Sequence, residues 1–140
     1  MAAALFAARA RATGYPLHVA SAGLTASVGQ RPPAAVIELT GSRGLDLSEH
    51  QAQQLTGALA EQHDLVLVMD SAQQRFVQRS WRALKGRVCR LGAWRDEDVL
   101  DPYGAGGEEY AACFACIERC VTDWEERWLA PRPERLRLPR

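Results

Sequence analysis

The sequence predicts an α/β domain built on a parallel sheet, and three observations carry that prediction. Helix-favouring and strand-favouring segments alternate along the chain. Residues 64–70, Asp-Leu-Val-Leu-Val-Met-Asp, form an apolar run between two acids, which is the pattern of a strand buried on both faces. Residues 107–129 place Tyr110, Cys113, Phe114, Ile117, Val121, Trp124 and Trp128 at the spacing of one helical face.

Each element has a local reason. Residues 2–12 are alanine-rich and favour helix, and Gly14-Tyr15-Pro16 breaks them. This helix starts at Met1 without a side chain able to cap its first N–H groups. Residues 17–20 read as a short strand running into Ser21-Ala22-Gly23. Pro32 and Pro33 suit a helix start, and Gly44 suits its end. Ser48 and Gln51 have capping-box spacing, which predicts a helix from there to about Glu61. Asp70 can cap the helix after the buried strand, with Gln73 three residues on. Residues 87–91 are a weaker third strand stopped by Gly92. One domain is expected over residues 1–129, followed by a basic, proline-rich and solvated tail at 130–140.

Composition narrows the function classes. The chain has 140 residues, enough for one domain, and 47% are hydrophobic, enough for a real core. Seventeen basic residues balance 17 acidic ones, so no net field recruits nucleic acid or an anionic membrane surface. The longest apolar run, residues 1–8, is too short to span a bilayer, and Arg9 and Arg11 follow it where a secretory signal would carry charge ahead of it. Four cysteines, three of them bunched, fit a reducing, cytoplasmic setting better than a disulfide scaffold.

Three groups invite a functional reading. Cys113, Cys116 and Cys120 share one helical face, inside the helix rather than at the N-terminus that would lower a thiol pKa. No fourth ligand lies near them in sequence, so core packing is favoured over metal or redox chemistry. Gly104, Gly106 and Gly107 follow a late loop, where they supply flexibility and not a phosphate fingerprint. In the acidic loop, Pro102 restricts Asp101 to extended conformations and Tyr103 sets a flat apolar surface beside it. A fixed carboxyl with an aromatic wall suits proton donation to an aromatic leaving oxygen.

The segments Val19-Ala20-Ser21-Ala22-Gly23-Leu24, Gly44-Leu45-Asp46-Leu47-Ser48-Glu49-His50, residues 64–70, Leu91-Gly92-Ala93-Trp94 and Asp101-Pro102-Tyr103 occur in order. Together they closely resemble the low-molecular-weight protein tyrosine phosphatases over about residues 1–128, most of all the bacterial branch linked to exopolysaccharide tyrosine kinases. The resemblance implies a three-layer, flavodoxin-like parallel sheet flanked by helices, and phosphotyrosine hydrolysis through a cysteinyl-phosphate, with no cofactor or metal. It implies that Asp101 is the general acid, that Pro102 and Tyr103 belong to the substrate pocket, and that Ser21 and His50 brace the phosphate loop. Some relatives have a second aromatic where this chain has Gly104, which makes that wall thinner. The acids Asp96, Glu97 and Asp98 are expected to keep Asp101 protonated by repulsion. The implied partner is a phosphotyrosine protein, including a bacterial tyrosine kinase of exopolysaccharide export.

The departure from the family concerns its nucleophile. Relatives carry a Cys-x5-Arg loop followed by Ser-Pro-Met-Ala-Glu-Ala-Leu, between the first strand and first helix. This chain begins Met1-Ala2-Ala3-Ala4-Leu5-Phe6. The expectation is that an internal methionine of a longer protein stands as residue 1, with the first strand and phosphate loop absent from this chain. Cys89 and Arg95 have the required spacing, but no helix is predicted to begin after them, and the other three cysteines lie on the last helix and not in a loop that opens one. The resemblance places the absent strand between residues 17–20 and 64–70. Five apolar side chains buried there are worth about 8–15 kcal/mol in total, comparable to the roughly 5–15 kcal/mol stability of a whole domain. The chain alone is therefore expected to be inactive and to fold poorly. Two alternatives are a non-catalytic remnant that binds phosphoproteins and an arsenate-reductase relative. Ser71-Ala72-Gln73-Gln74-Arg75 lacks the resolving cysteines that the latter needs.

Overall fold

A computed structural model describes residues 1–129, so the 130–140 tail lies outside the described residues. Two parallel strands, β1 (Val66–Val68) and β2 (Val88–Arg90), pair in register with Leu67 opposite Cys89. Their side chains alternate between two cores, as a strand buried on both faces requires. Leu65, Leu67 and Met69 pack with Cys89 and Leu91 against helices α1 (Ala2–Ala12) and α5 (Gly107–Trp124). Val66, Val68 and Val88 pack on the opposite face with Ala60, Val77 and Leu84. That second layer is helix α3 (Gly57–Glu61), helix α4 (Ser71–Ser80) and the 3₁₀ turn Arg82–Leu84. Helix α2 (Ala34–Gly41) adds Val36, which joins Leu47 and Tyr110 in a smaller cluster. The result is the expected α/β architecture, a parallel sheet between helical layers.

Local chemistry explains the elements that match. Asp70 accepts the Gln73 N–H at 2.7 Å and so caps α4, while the Gln73 side chain accepts the Met69 N–H at 2.9 Å. The apolar face of α5 buries Phe114, Ile117, Val121 and Trp124. Its last turn, Glu125–Leu129, loosens to π-helical geometry. Gly44 sits at φ +73° after α2, in the left-handed region that ends helices.

Two expectations are corrected. Residues 17–20 are extended but form no strand, because among the described residues no neighbouring strand supplies ladder hydrogen bonds. Leu17 and Val19 still pack on the α1/α5 core, and the His18 ring lies 5.5 Å from that of His63. The predicted helix from Ser48 to Glu61 is confined to Gly57–Glu61. Asp46 Oδ1 takes the Ser48 N–H at 2.8 Å, which makes a local turn in place of a cap. Residues 52–55 then run extended beside residues 23–30. Gly23 N–H donates to Gln53 O at 2.9 Å, and Leu55 N–H to Gly23 O at 2.8 Å. Tertiary pairing therefore overrides the local helix signal, and Thr56 becomes the cap, accepting the Leu59 N–H at 3.2 Å. Accordingly, Thr56→Ala should cost about 1 kcal/mol in urea unfolding, a typical cap loss. Ser48→Ala should stay within about 0.5 kcal/mol.

Candidate active site

The residues singled out from the sequence lie in loops and at the start of α1. A cavity of about 600 Å³ opens between the first turn of α1, residues 19–21 and residues 47–53. Met1, Ala4, Ser21 and His50 are among its walls, so Ser21 and His50 are brought together beside the start of one helix. Gln53 Nε2 donates to Ser21 O at 2.8 Å, and His50 N–H donates to Leu47 O at 3.1 Å; these bonds hold both segments in place. Helix α1 has no side-chain cap. Its first N–H groups and the positive end of its dipole therefore border the cavity, an arrangement that favours an anion. Burial lowers the pKa of the Met1 amine.

Asp101, Pro102 and Tyr103 lie outside the walls of this cavity. Val99 N–H donates to Met69 O at 2.8 Å, so the chain returns to the C-terminal end of β1 two residues before Asp101. Ligands of parallel α/β folds bind at that end of the strands. Asp101 Oδ1 accepts the Tyr103 N–H at 3.0 Å, which fixes the carboxyl on its own loop. Tyr103 is 82% exposed, with its ring presented to solvent. Gly104 follows at φ +79°, where a larger side chain would be strained. Burial pushes the Cys113 thiol up, Cys116 and Asp101 push it the same way, and the Met1 ammonium opposes them, so Asp101 and Met1 both act on one side chain.

The neighbouring acids each have an arginine partner. Asp98 accepts from Arg90 Nη1 at 2.7 Å, Asp96 pairs with Arg90 Nη2, and Glu97 pairs with Arg119 at 3.2 Å. Hydrogen bonding to Arg90 holds the Asp98 carboxyl below the usual carboxylate range. The cluster's charge is thus offset by Arg90 and Arg119. Arg90 was missed from the sequence because its acids lie six and eight residues away in a loop with no regular period.

None of the four cysteines is placed as a phosphate-loop nucleophile. Cys89 is buried on β2, and burial raises its pKa. Arg95, six residues on, is bound to Asp123 on α5 at 2.5 Å. Burial likewise raises Cys116, and it pushes Cys120 up to about 12. Such thiols stay protonated near neutral pH, and the thiol form is a poor nucleophile.

A parallel α/β domain with a cavity at the head of a helix is an arrangement suited to binding a phosphate group. The family described as low molecular weight phosphotyrosine protein phosphatase matches residues 1–131. The chain belongs to that family. A probable low molecular weight protein-tyrosine-phosphatase, EpsP of Ralstonia nicotianae, is 39% identical over 109 residues, covering 78% of this chain and 75% of that protein. The phosphatase Ptp of Acinetobacter johnsonii is 33% identical over 111 residues, 79% of this chain and 78% of that one. Among solved structures, Vibrio vulnificus Wzb in complex with benzylphosphonate has a TM-score of 0.82 at 27% identity, covering 89% of this chain and 86% of that one. The YwlE arginine phosphatase, solved as a mutant with a phosphorylated active-site serine, has a TM-score of 0.86 at 26% identity, covering 94% and 88%. Among the described residues no helix is long and apolar enough to cross a membrane.

Proposed function

We propose that this chain is the body of a phosphotyrosine phosphatase, in which Asp101 is the general acid and Pro102 and Tyr103 wall the phosphotyrosine pocket. Ser21 and His50 brace a phosphate-binding loop at the head of α1. The single observation that carries this reading is the cavity that Ser21 and His50 share with the first turn of that helix.

In the complete reaction a cysteine thiolate takes the phosphoryl group from the tyrosyl oxygen, and Asp101 delivers its proton to that oxygen as the bond breaks. Asp101 then takes a proton from the water that hydrolyses the cysteinyl-phosphate. The uncapped N–H groups of α1 stabilise the phosphoryl charge. Among the 140 residues no Cys-x5-Arg pair stands in a loop that opens a helix, so the expected result for this chain alone is no turnover of phosphotyrosine. No cofactor enters the scheme. The natural substrate is a cytoplasmic phosphotyrosine protein, with a tyrosine kinase of exopolysaccharide export as the first candidate. Relatives named as protein-tyrosine-phosphatases, and a neighbour that holds an aromatic phosphonate, support the aryl phosphate class.

The test joins a strand and a Cys-x5-Arg-Ser-Pro loop ahead of Met1 and offers peptides bearing phosphotyrosine, phosphoserine or phosphoarginine. Phosphotyrosine should be hydrolysed fastest. Faster release from phosphoarginine, the activity named for YwlE, would overturn the substrate assignment.

A further inference from the structure

We propose that Glu97, Cys116 and Cys120 form a binding site for a thiophilic divalent cation such as Zn²⁺. Sequence spacing gave the cysteines no further ligand, because Glu97 is 19 residues before Cys116. The fold supplies it. One donor atom from each of the three side chains lies within 4.8 Å of the others.

The scaffold on both sides is ordered. Cys116 and Cys120 project from successive turns of α5, the i, i+4 relation that places two ligands on one helical face. Glu97 comes from the loop after β2, where its N–H donates to Gly92 O at 3.0 Å and Asp96 ahead of it is turned to φ +53°. Only glycine fits at position 92. A Cβ there would lie 2.2 Å from Glu97 O and 3.3 Å from Cys120 Sγ, so the side chain's absence is what lets the loop close onto the helix. Arg119 holds Glu97 Oε1 at 3.2 Å, which orients the carboxylate and leaves its second oxygen to ligate.

Two thiolates and a carboxylate suit tetrahedral Zn²⁺, with a water as the fourth ligand on the side of Glu97, the least buried of the three. As the two metal–sulfur bonds form, the two thiol protons leave to solvent. Arg119 then offsets the remaining negative charge of the site.

The experiment takes the reduced, metal-free chain joined to a strand and phosphate loop ahead of Met1, with the loop cysteine replaced by serine, titrates it with Co²⁺ under argon and then adds Zn²⁺. The expected result is a saturable thiolate-to-cobalt charge-transfer band at one metal per chain, bleached by Zn²⁺. Cys116→Ser and Cys120→Ser should each abolish it, whereas Cys113→Ser and Cys89→Ser should retain it. Glu97→Gln should weaken Co²⁺ binding by at least the roughly 10–100-fold that losing an outer-sphere partner costs. A missing band overturns the proposal. Equal losses in Cys113→Ser and Cys116→Ser, or unchanged affinity in Glu97→Gln, would also overturn it, because an unstructured cysteine-rich segment behaves that way.

Discussion

Asp101→Asn, made in the chain joined to a Cys-x5-Arg loop, should lower kcat on a phosphotyrosyl peptide by about 10²–10⁴-fold, the usual contribution of a positioned acid. The tyrosyl oxygen leaves as an anion of pKa about 10 unless it is protonated. The substituted asparagine would keep the Tyr103 N–H bond through its amide oxygen, so the loop stays in place and only the proton is lost. The loss should therefore shrink on aryl phosphates with acidic leaving groups, which need no proton. Steady-state rates across a leaving-group series check this. Equal losses for all leaving groups would mean that Asp101 positions the loop and donates no proton.

The second large effect is on stability. Trp124 is fully buried at the centre of the α1/α5 core, donates its indole N–H to Leu91 O at 2.7 Å, and meets Trp94 and Trp128 edge-on at 5.5 and 6.3 Å. Trp124→Ala should cost about 3–5 kcal/mol through the cavity it leaves. The orphaned Leu91 carbonyl adds about 1–3 kcal/mol. Together these approach the whole stability of a domain of this size. Tyr103→Ala is the contrast: with its ring in solvent it should change stability by less than about 0.5 kcal/mol while impairing substrate binding. Urea unfolding of both variants in the loop-bearing chain, followed by circular dichroism, separates a core role from a site role.

Elements with strong local signals were readable from the sequence. The run at 64–70 could only be a doubly buried strand, and Asp70 with Gln73 marked the next helix start by a hydrogen bond between near neighbours. Ser48 failed because its cap signal competes with two partners that no short window contains: Asp46, which takes its N–H, and residues 23–30, which hold 52–55 extended. Residues 17–20 have the composition of a strand, but a strand exists only where a neighbour accepts its hydrogen bonds. The site divides in the same way. Asp101-Pro102-Tyr103 was visible because the proline constrains its own neighbours. The approach of Ser21 to His50, and of Glu97 to Cys116 and Cys120, depends on loop closure across the fold. The Gly92 contact that permits the second approach has no sequence signature beyond the glycine itself.

The nucleophile's location is tested most directly by phosphate release from one phosphotyrosyl peptide, measured side by side for two proteins. One is the 140-residue chain, and the other is the same chain preceded by a strand and a Cys-x5-Arg loop. The account predicts no release above buffer for the first and turnover within the ordinary enzyme range, roughly 1–10³ s⁻¹, for the second. Turnover by the 140-residue chain that disappears when Cys89, Cys113, Cys116 or Cys120 is changed to serine would contradict it.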